Sequence, residues 1–194
     1  MTIRLTTPFT QEALSGLRAG DRVLVSGVIY TARDAAHGRL AAALEKGESL
    51  PVDLRGQTLY YAGPSPTPPG RASGSIGPTT SMRMDPYTPA LLRYGVKALI
   101  GKGDRSRAVQ SALAETESVY FAAIGGCAAY MAACIQQLEV VAYDDLGTES
   151  IKRLVVKDMP LTVAIDAQGR DAYEEGVYTY RHEYMQAQLT GPDC

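Results

Sequence analysis

The 194-residue sequence predicts an α/β fold with a mixed, partly parallel sheet, and three observations predict it. Between residues 85 and 145, β-branched apolar runs alternate with helical patterns, the signature of βαβ crossovers. The front half is richer in strand-like runs. The hydrophobic share is 45%, and no charged or low-complexity block divides the chain. Residues 1–194 therefore read as one domain with a polar C-terminal tail, 173–194. A domain of this size buries about 70% of its unfolded surface, which is enough for a core.

Taken in order, DRVLVSGVIYTAR (21–33) reads as a strand. In DAAHGRLAAALEKG, Ala36, Leu40, Ala43 and Leu44 sit at helical spacing, with Asp34 as N-cap and Gly47 as stop. QTLYYAG (57–63) is a short strand. Residues 64–81 hold five prolines among glycines and form no regular structure. A loop this long inside a compact domain is functional or disordered. DPYTPALLRYG (85–95) reads as a helix capped by Asp85 with Pro86 in its first turn. VKALIGKG (96–103) is a buried strand, DRSRAVQSALAET (104–116) an amphipathic helix and SVYFAAIGG (118–126) a strand. CAAYMAACIQQ (127–137) reads as a small-residue helix, LEVVAYDD (138–145) as a strand and LGTESIKR (146–153) as a short helix. Residues 153–169 supply further strands, and the tail from Tyr173 is helical.

Composition excludes several functions. A net charge of -2 lacks the basic excess of a nucleic-acid binder. No apolar run approaches the ~18–20 residues of a membrane span. The N-terminal MTIRLTTPFT lacks the apolar stretch of a signal peptide, so the expectation is a soluble cytoplasmic protein. The cysteines, Cys127, Cys134 and Cys194, form no CxxC pair and fit a reducing compartment. Cys127 and Cys134 can share a helix face, but no third ligand is near in sequence, and no metal site is expected.

Three segments carry chemistry suited to an anion. In GPTTSMRMD (77–85), glycine lets the backbone approach a ligand, Thr79, Thr80 and Ser81 supply hydroxyls, and Arg83 offers a planar fork matched to a carboxylate. An ordinary surface loop with a solvated arginine has the same spacing. In ARDAAH (32–37), Arg33 leaves the end of a strand and His37 follows one helical turn later; an Arg–Asp surface pair is the alternative. ALIGKGDR resembles a phosphate-binding loop but fails the pattern. Gly95 and Gly101 are separated by five residues rather than four, and Gly103 stands where Ser or Thr is required. What remains is Lys102 at the C-terminal end of an apolar strand, where open α/β sheets place ligands.

ARDAAH, GSIGPTTSMRMD, GVKALIGKG, GGCAAY and MPLTVAID occur in this order in one family. The chain resembles the β subunit of class I, iron–sulfur fumarate hydratases and the similar β subunit of L(+)-tartrate dehydratase. In fused enzymes it corresponds to the C-terminal domain, and the resemblance runs from the N-terminus to about residue 172. It implies a single swivelling-type β/β/α layered domain and a hydro-lyase activity, the reversible hydration of fumarate to L-malate. It also implies a [4Fe–4S] cluster ligated by an α subunit, with none bound by this chain alone, and an α2β2 assembly. By the same resemblance, Arg33, Arg83, Lys102 and Thr80 bind substrate carboxylates and Thr79 helps abstract the proton next to one. Asp34 and His37 orient Arg33, and Asp85 supports the motif from behind. Met82 departs from the glycine of many fumarases and leans toward tartrate dehydratase, which leaves fumarate, tartrate and mesaconate open as substrates. The rival reading is a non-catalytic dicarboxylate-binding module.

Overall fold

The structure, a computed structural model, describes residues 2–190; Met1 and residues 191–194, including Cys194 and the end of the expected tail, lie outside the described residues. Seven strands form one sheet: β1 (Thr2–Thr6), β2 (Arg22–Thr31), β3 (Thr58–Tyr60), β4 (Ala98–Gly101), β5 (Val119–Ala122), β6 (Ile135–Ala142) and β7 (Ile151–Ile165). The pairings β2–β3, β3–β4 and β4–β5 are parallel. β7 runs antiparallel to β5, to β6 and, along Arg22–Thr31, to β2. The ladder therefore closes on itself through β2, β3, β4, β5 and β7, with β1 and β6 added outside the ring.

The helices are α1 (Gln11–Ser15), α2 (Asp34–Glu45), α3 (Thr88–Tyr94), α4 (Arg107–Glu115), α5 (Ala128–Ala133) and α6 (Ala172–Thr190). The parallel strands are buried on both faces, so successive side chains join two different cores. Tyr60, Ala98, Ile100, Val119 and Phe121 point into the core shared with Val23, Val25, Val163 and Leu14. Leu59, Tyr61, Leu99 and Tyr120 pack instead against Ala36 and Leu40 of α2, Leu91 and Leu92 of α3, and Val109 and Leu113 of α4. The result is the layered β/β/α arrangement with a mixed, partly parallel sheet.

Five local expectations are corrected. Asp34 is the first residue of α2, not its cap; Arg33 holds the cap position in an extended conformation and makes no side-chain cap bond. Asp85 does not cap the start of α3: it ends a 3-10 turn at Ser81–Met84, and α3 begins at Thr88 with Pro89 in its first turn. The small-residue helix stops at Ala133, and Ile135 and Gln137 already pair with β7. LGTESIKR divides between a 3-10 segment, Asp144–Glu149, and the start of β7. β7 itself is one 15-residue strand rather than several, and it passes through Asp158 at φ 50 without ending.

Candidate functional site

Three of the parallel strands end side by side, and the cations predicted from sequence lie where they end. Arg33 follows β2, whose last residues pair with Leu59 and Tyr60 of β3. Lys102 follows β4. The loop carrying GPTTS is laid across the same edge: Thr79 N–H donates to the Tyr61 carbonyl at 2.7 Å and Ser81 N–H to the Lys102 carbonyl at 3.0 Å. Pro78 and Thr80 form isolated bridges with Ala62 and Lys102. Gly101 makes this contact possible, because a Cβ there would sit 1.9 Å from Ser81 Oγ. Ser81 Oγ in turn lies 2.9 Å from the Tyr120 hydroxyl, which donates to the Gly103 carbonyl. The loop is thus fastened to the sheet on both sides of Thr79 and Thr80.

Arg33 and Arg83 meet at Asp34. Arg83 Nε lies 2.7 Å from Asp34 Oδ1, and Arg33 Nη2 lies 3.5 Å from Asp34 Oδ2. Arg33 Nη2 is also 3.2 Å from Glu149 Oε1. Most of the donor capacity stays free: Arg33 Nε is buried without a partner among the described residues. Neither Nη of Arg83 has a bonding partner among those residues, and its side chain is 54% exposed against 22% for Arg33. Lys102 has no hydrogen-bond or ion-pair partner among the described residues, and its side chain runs beside Gly125. The hydroxyls of Thr79 and Thr80 are likewise without partners. Unpaired guanidinium and ammonium groups beside free hydroxyls suit a ligand with more than one carboxylate.

The remaining predicted residues lie behind this surface. His37 is fully buried, with Nδ1 3.0 Å from the Arg33 carbonyl. A carbonyl only accepts, so Nδ1 carries the proton and Nε2 is a buried acceptor with no partner among the described residues. Burial pushes its pKa down to about 4, so the ring is neutral near pH 7. His37 therefore touches the backbone of Arg33 and not its guanidinium. Asp85 faces inward, 2.8 Å from Arg105 Nε and accepting from Ser106 N–H at 2.6 Å.

Sequence reasoning missed four residues that shape the site. Glu149 pairs with Arg33 across 116 positions of sequence, and nothing in LGTES announces it. Lys152 is buried and donates to the Gly147 and Thr148 carbonyls and to Ser150 Oγ, holding the Glu149 loop in place. Gly63 lets that loop in: a Cβ there would be 2.7 Å from Thr148 Cγ2 and 3.3 Å from Arg33 Cδ. Arg105, two residues past the quoted GKG, was the one with a signal nearby.

No group of three or more His, Cys, Asp or Glu side chains is gathered to hold a metal among the described residues. Cys127 and Cys134 sit at opposite ends of α5. Among the described residues these two thiols alone do not make up the ligand set of an iron–sulfur cluster. Among the described residues no helix is long and apolar enough to cross a membrane.

Fold and site together define a mixed α/β domain in which Arg33, Arg83 and Lys102 lie at the carboxyl ends of the parallel strands. The family model for the Fumarase C-terminus matches residues 1–176, and the chain belongs to that family. Fumarate hydratase 2 of Leishmania major is 37% identical over 85% of this chain, and the aerobic class I fumarate hydratase of Escherichia coli (strain K12) is 39% identical over 84%. The chain spans only 29% and 30% of the length of those two proteins. A Methanocaldococcus jannaschii protein, provisionally named the β subunit of L(+)-tartrate dehydratase, is 37% identical over 86% of this chain and 88% of its own length.

Proposed function

We propose that this chain is the β subunit of an iron–sulfur-dependent hydro-lyase that interconverts fumarate and L-malate. The observation that carries the reading is the row of cations with open donors, Arg33, Arg83 and Lys102, along one sheet edge beside Thr79 and Thr80. The assembled enzyme takes its [4Fe–4S] cluster from an α subunit, in an α2β2 arrangement. When bound, that cluster supplies a Lewis acid for the hydroxyl that is added or removed.

The work of this chain is to bind and orient. Arg83 presents its unpaired Nη edge to one substrate carboxylate, while Arg33 and Lys102 grip the acid from the strand ends on either side of β3. Removing the proton beside a carboxylate leaves an enolate-like group with extra negative charge. Fixed cations stabilise that charge because they need no reorientation as it develops. Thr79, fastened in the same loop, is the residue assigned to help take that proton. Asp34 keeps both arginines at one place, and His37, neutral near pH 7, ties the start of α2 to the Arg33 carbonyl without adding charge.

A second reading has its own support: the Methanocaldococcus jannaschii relative matches over most of its length, and Met82, inside the motif, is 55% exposed. On that reading the substrate is L(+)-tartrate. One experiment addresses both. The chain is mixed anaerobically with its α partner, and turnover of fumarate, L-malate, L(+)-tartrate and mesaconate is measured. Fastest turnover of fumarate and L-malate supports the first reading, and of tartrate the second. Arg83→Ala should reduce kcat/KM by about 3–4 kcal/mol of transition-state stabilisation, as loss of an oxyanion donor does. Unchanged turnover by that variant would remove Arg83 from the site.

A further inference from the structure

Arg33 has an unusual problem of support. It stands at the cap position of α2, where its own backbone is extended, and its neighbour Asp34 is claimed more closely by Arg83. A guanidinium on a long, flexible stem loses its geometry unless something else fixes it. Glu149 has the required contacts. Its Oε1 lies 3.2 Å from Arg33 Nη2, and its Oε2 accepts the Ala35 N–H at 2.9 Å, one of the first amides of α2. One carboxylate therefore joins the arginine head to the helix that begins beside it.

Glu149 is itself held from below. Lys152, buried in β7, donates to the carbonyls of Gly147 and Thr148 at 2.9 and 3.1 Å and to Ser150 Oγ at 2.6 Å. The segment on either side of Glu149 is thus closed around a single ammonium. The same segment leans on Gly63, where Thr148 and the Arg33 stem together fill the space a side chain would need.

Resting on the dicarboxylate reading above, we infer that Glu149 is a positioning residue for Arg33 beside Asp34, with Lys152 and Gly63 fixing the loop that carries it. Glu149 acts through Arg33 and does not touch the acid. Its effect belongs in substrate binding, and it vanishes when Arg33 is absent.

The test is a double-mutant cycle in the enzyme reconstituted with its α partner. Fumarate, L-malate and L(+)-tartrate serve as probes, and kinetics are taken on the acid turned over fastest. Glu149→Ala raises KM about tenfold through loss of the ion pair to Arg33, with kcat little changed. In an Arg33→Ala background the same change adds nothing, because the group it positions is gone. A structural defect would instead lower the active fraction, reducing apparent kcat at constant KM. Additive effects of the two substitutions, or an unchanged KM in Glu149→Ala, overturn the inference while leaving the dicarboxylate reading in place. A crystal structure of the Glu149→Ala chain gives an answer that does not depend on turnover. Arg33 displaced from its place against Gly63 supports the inference, and a guanidinium that stays in place overturns it. Failure of the wild-type pair to turn over any of the three acids would count against the dicarboxylate reading alone.

Discussion

Arg105 with Asp85, and Arg33 with Asp34 and Arg83, are arginine–carboxylate clusters of the same ingredients in two surroundings. Arg105 has no exposed side-chain surface, Asp85 gives one oxygen to it and the other to Ser106 N–H, and the rings of Tyr61 and Tyr120 lie 5.2 and 4.9 Å from the guanidinium. Both clusters leave donors over, for Arg105 Nη1 is as unpartnered as Arg33 Nε. The difference is access. In the first cluster no ligand reaches the spare donor, and the pair ties the 3-10 turn after Thr80 to the start of α4. In the second, Arg83 is half exposed and its unpaired Nη groups are open to an incoming anion, while Arg33 is partly exposed with its Nε buried. The lesson is that an ion pair's exposure, rather than its composition, separates a structural cluster from a binding one.

The comparison can be broken in four places, taken from the largest expected effect down. Arg105→Met strands a buried carboxylate and should lower unfolding free energy by about 3–5 kcal/mol, read from the denaturant midpoint, while Arg105→Met with Asp85→Leu recovers much of the loss. Arg83→Ala should do the reverse, leaving the midpoint close to wild type while turnover falls by the 3–4 kcal/mol estimated above. If it destabilises the fold as the Arg105 change does, the two clusters are not different in kind.

His37 tests the layer between them. Its pKa is pushed from 6.5 to about 4, mainly by burial and secondarily by the charge of Arg105. The folded state thus binds fewer protons than the unfolded one, and the stability from this group is complete above pH 6.5 and lost as pH falls toward 4. The loss should be about 3 kcal/mol on an order-of-magnitude basis. Urea titrations at pH 7 and pH 4 should show a steeper decline for wild type than for His37→Phe. At the bottom of the scale stands Arg93 with Glu115, where both side chains are more than half exposed. Arg93→Ala should leave the thermal midpoint unchanged, and a clear drop would argue against exposure as the dividing line.

Much of this was legible in the sequence because the signals were local. Alternating β-branched runs located β2, β4 and β5, and the proline-rich stretch located the loop across their ends. What failed was decided at long range. Asp85 followed by Pro86 looks like a helix start, but Arg105, twenty residues later, draws the carboxylate inward and α3 starts at Thr88. Asp158 and Pro160 look like strand breaks, yet β7 continues because β2 pairs along it past both positions. Arg33, Arg83 and Lys102 were singled out as cations. Their arrangement around Asp34 and Glu149 was not, since it depends on segments more than a hundred residues apart meeting at one corner.

The closed ladder has a consequence for how this protein behaves in a crowded solution. A strand with an open side invites pairing with another chain, and parallel sheets assembled from short strands are especially exposed to it. Here β3, β4 and β5 each have neighbours on both sides because β7 and β2 complete the circuit. Among the described residues only β1 and β6 lack a second neighbour, and both are blunted: Arg4 stands exposed on β1, and Gln136, Gln137 and Glu139 on β6. The edge that displays the cations is therefore free to meet a second surface, while the sides of the sheet are guarded against aggregation.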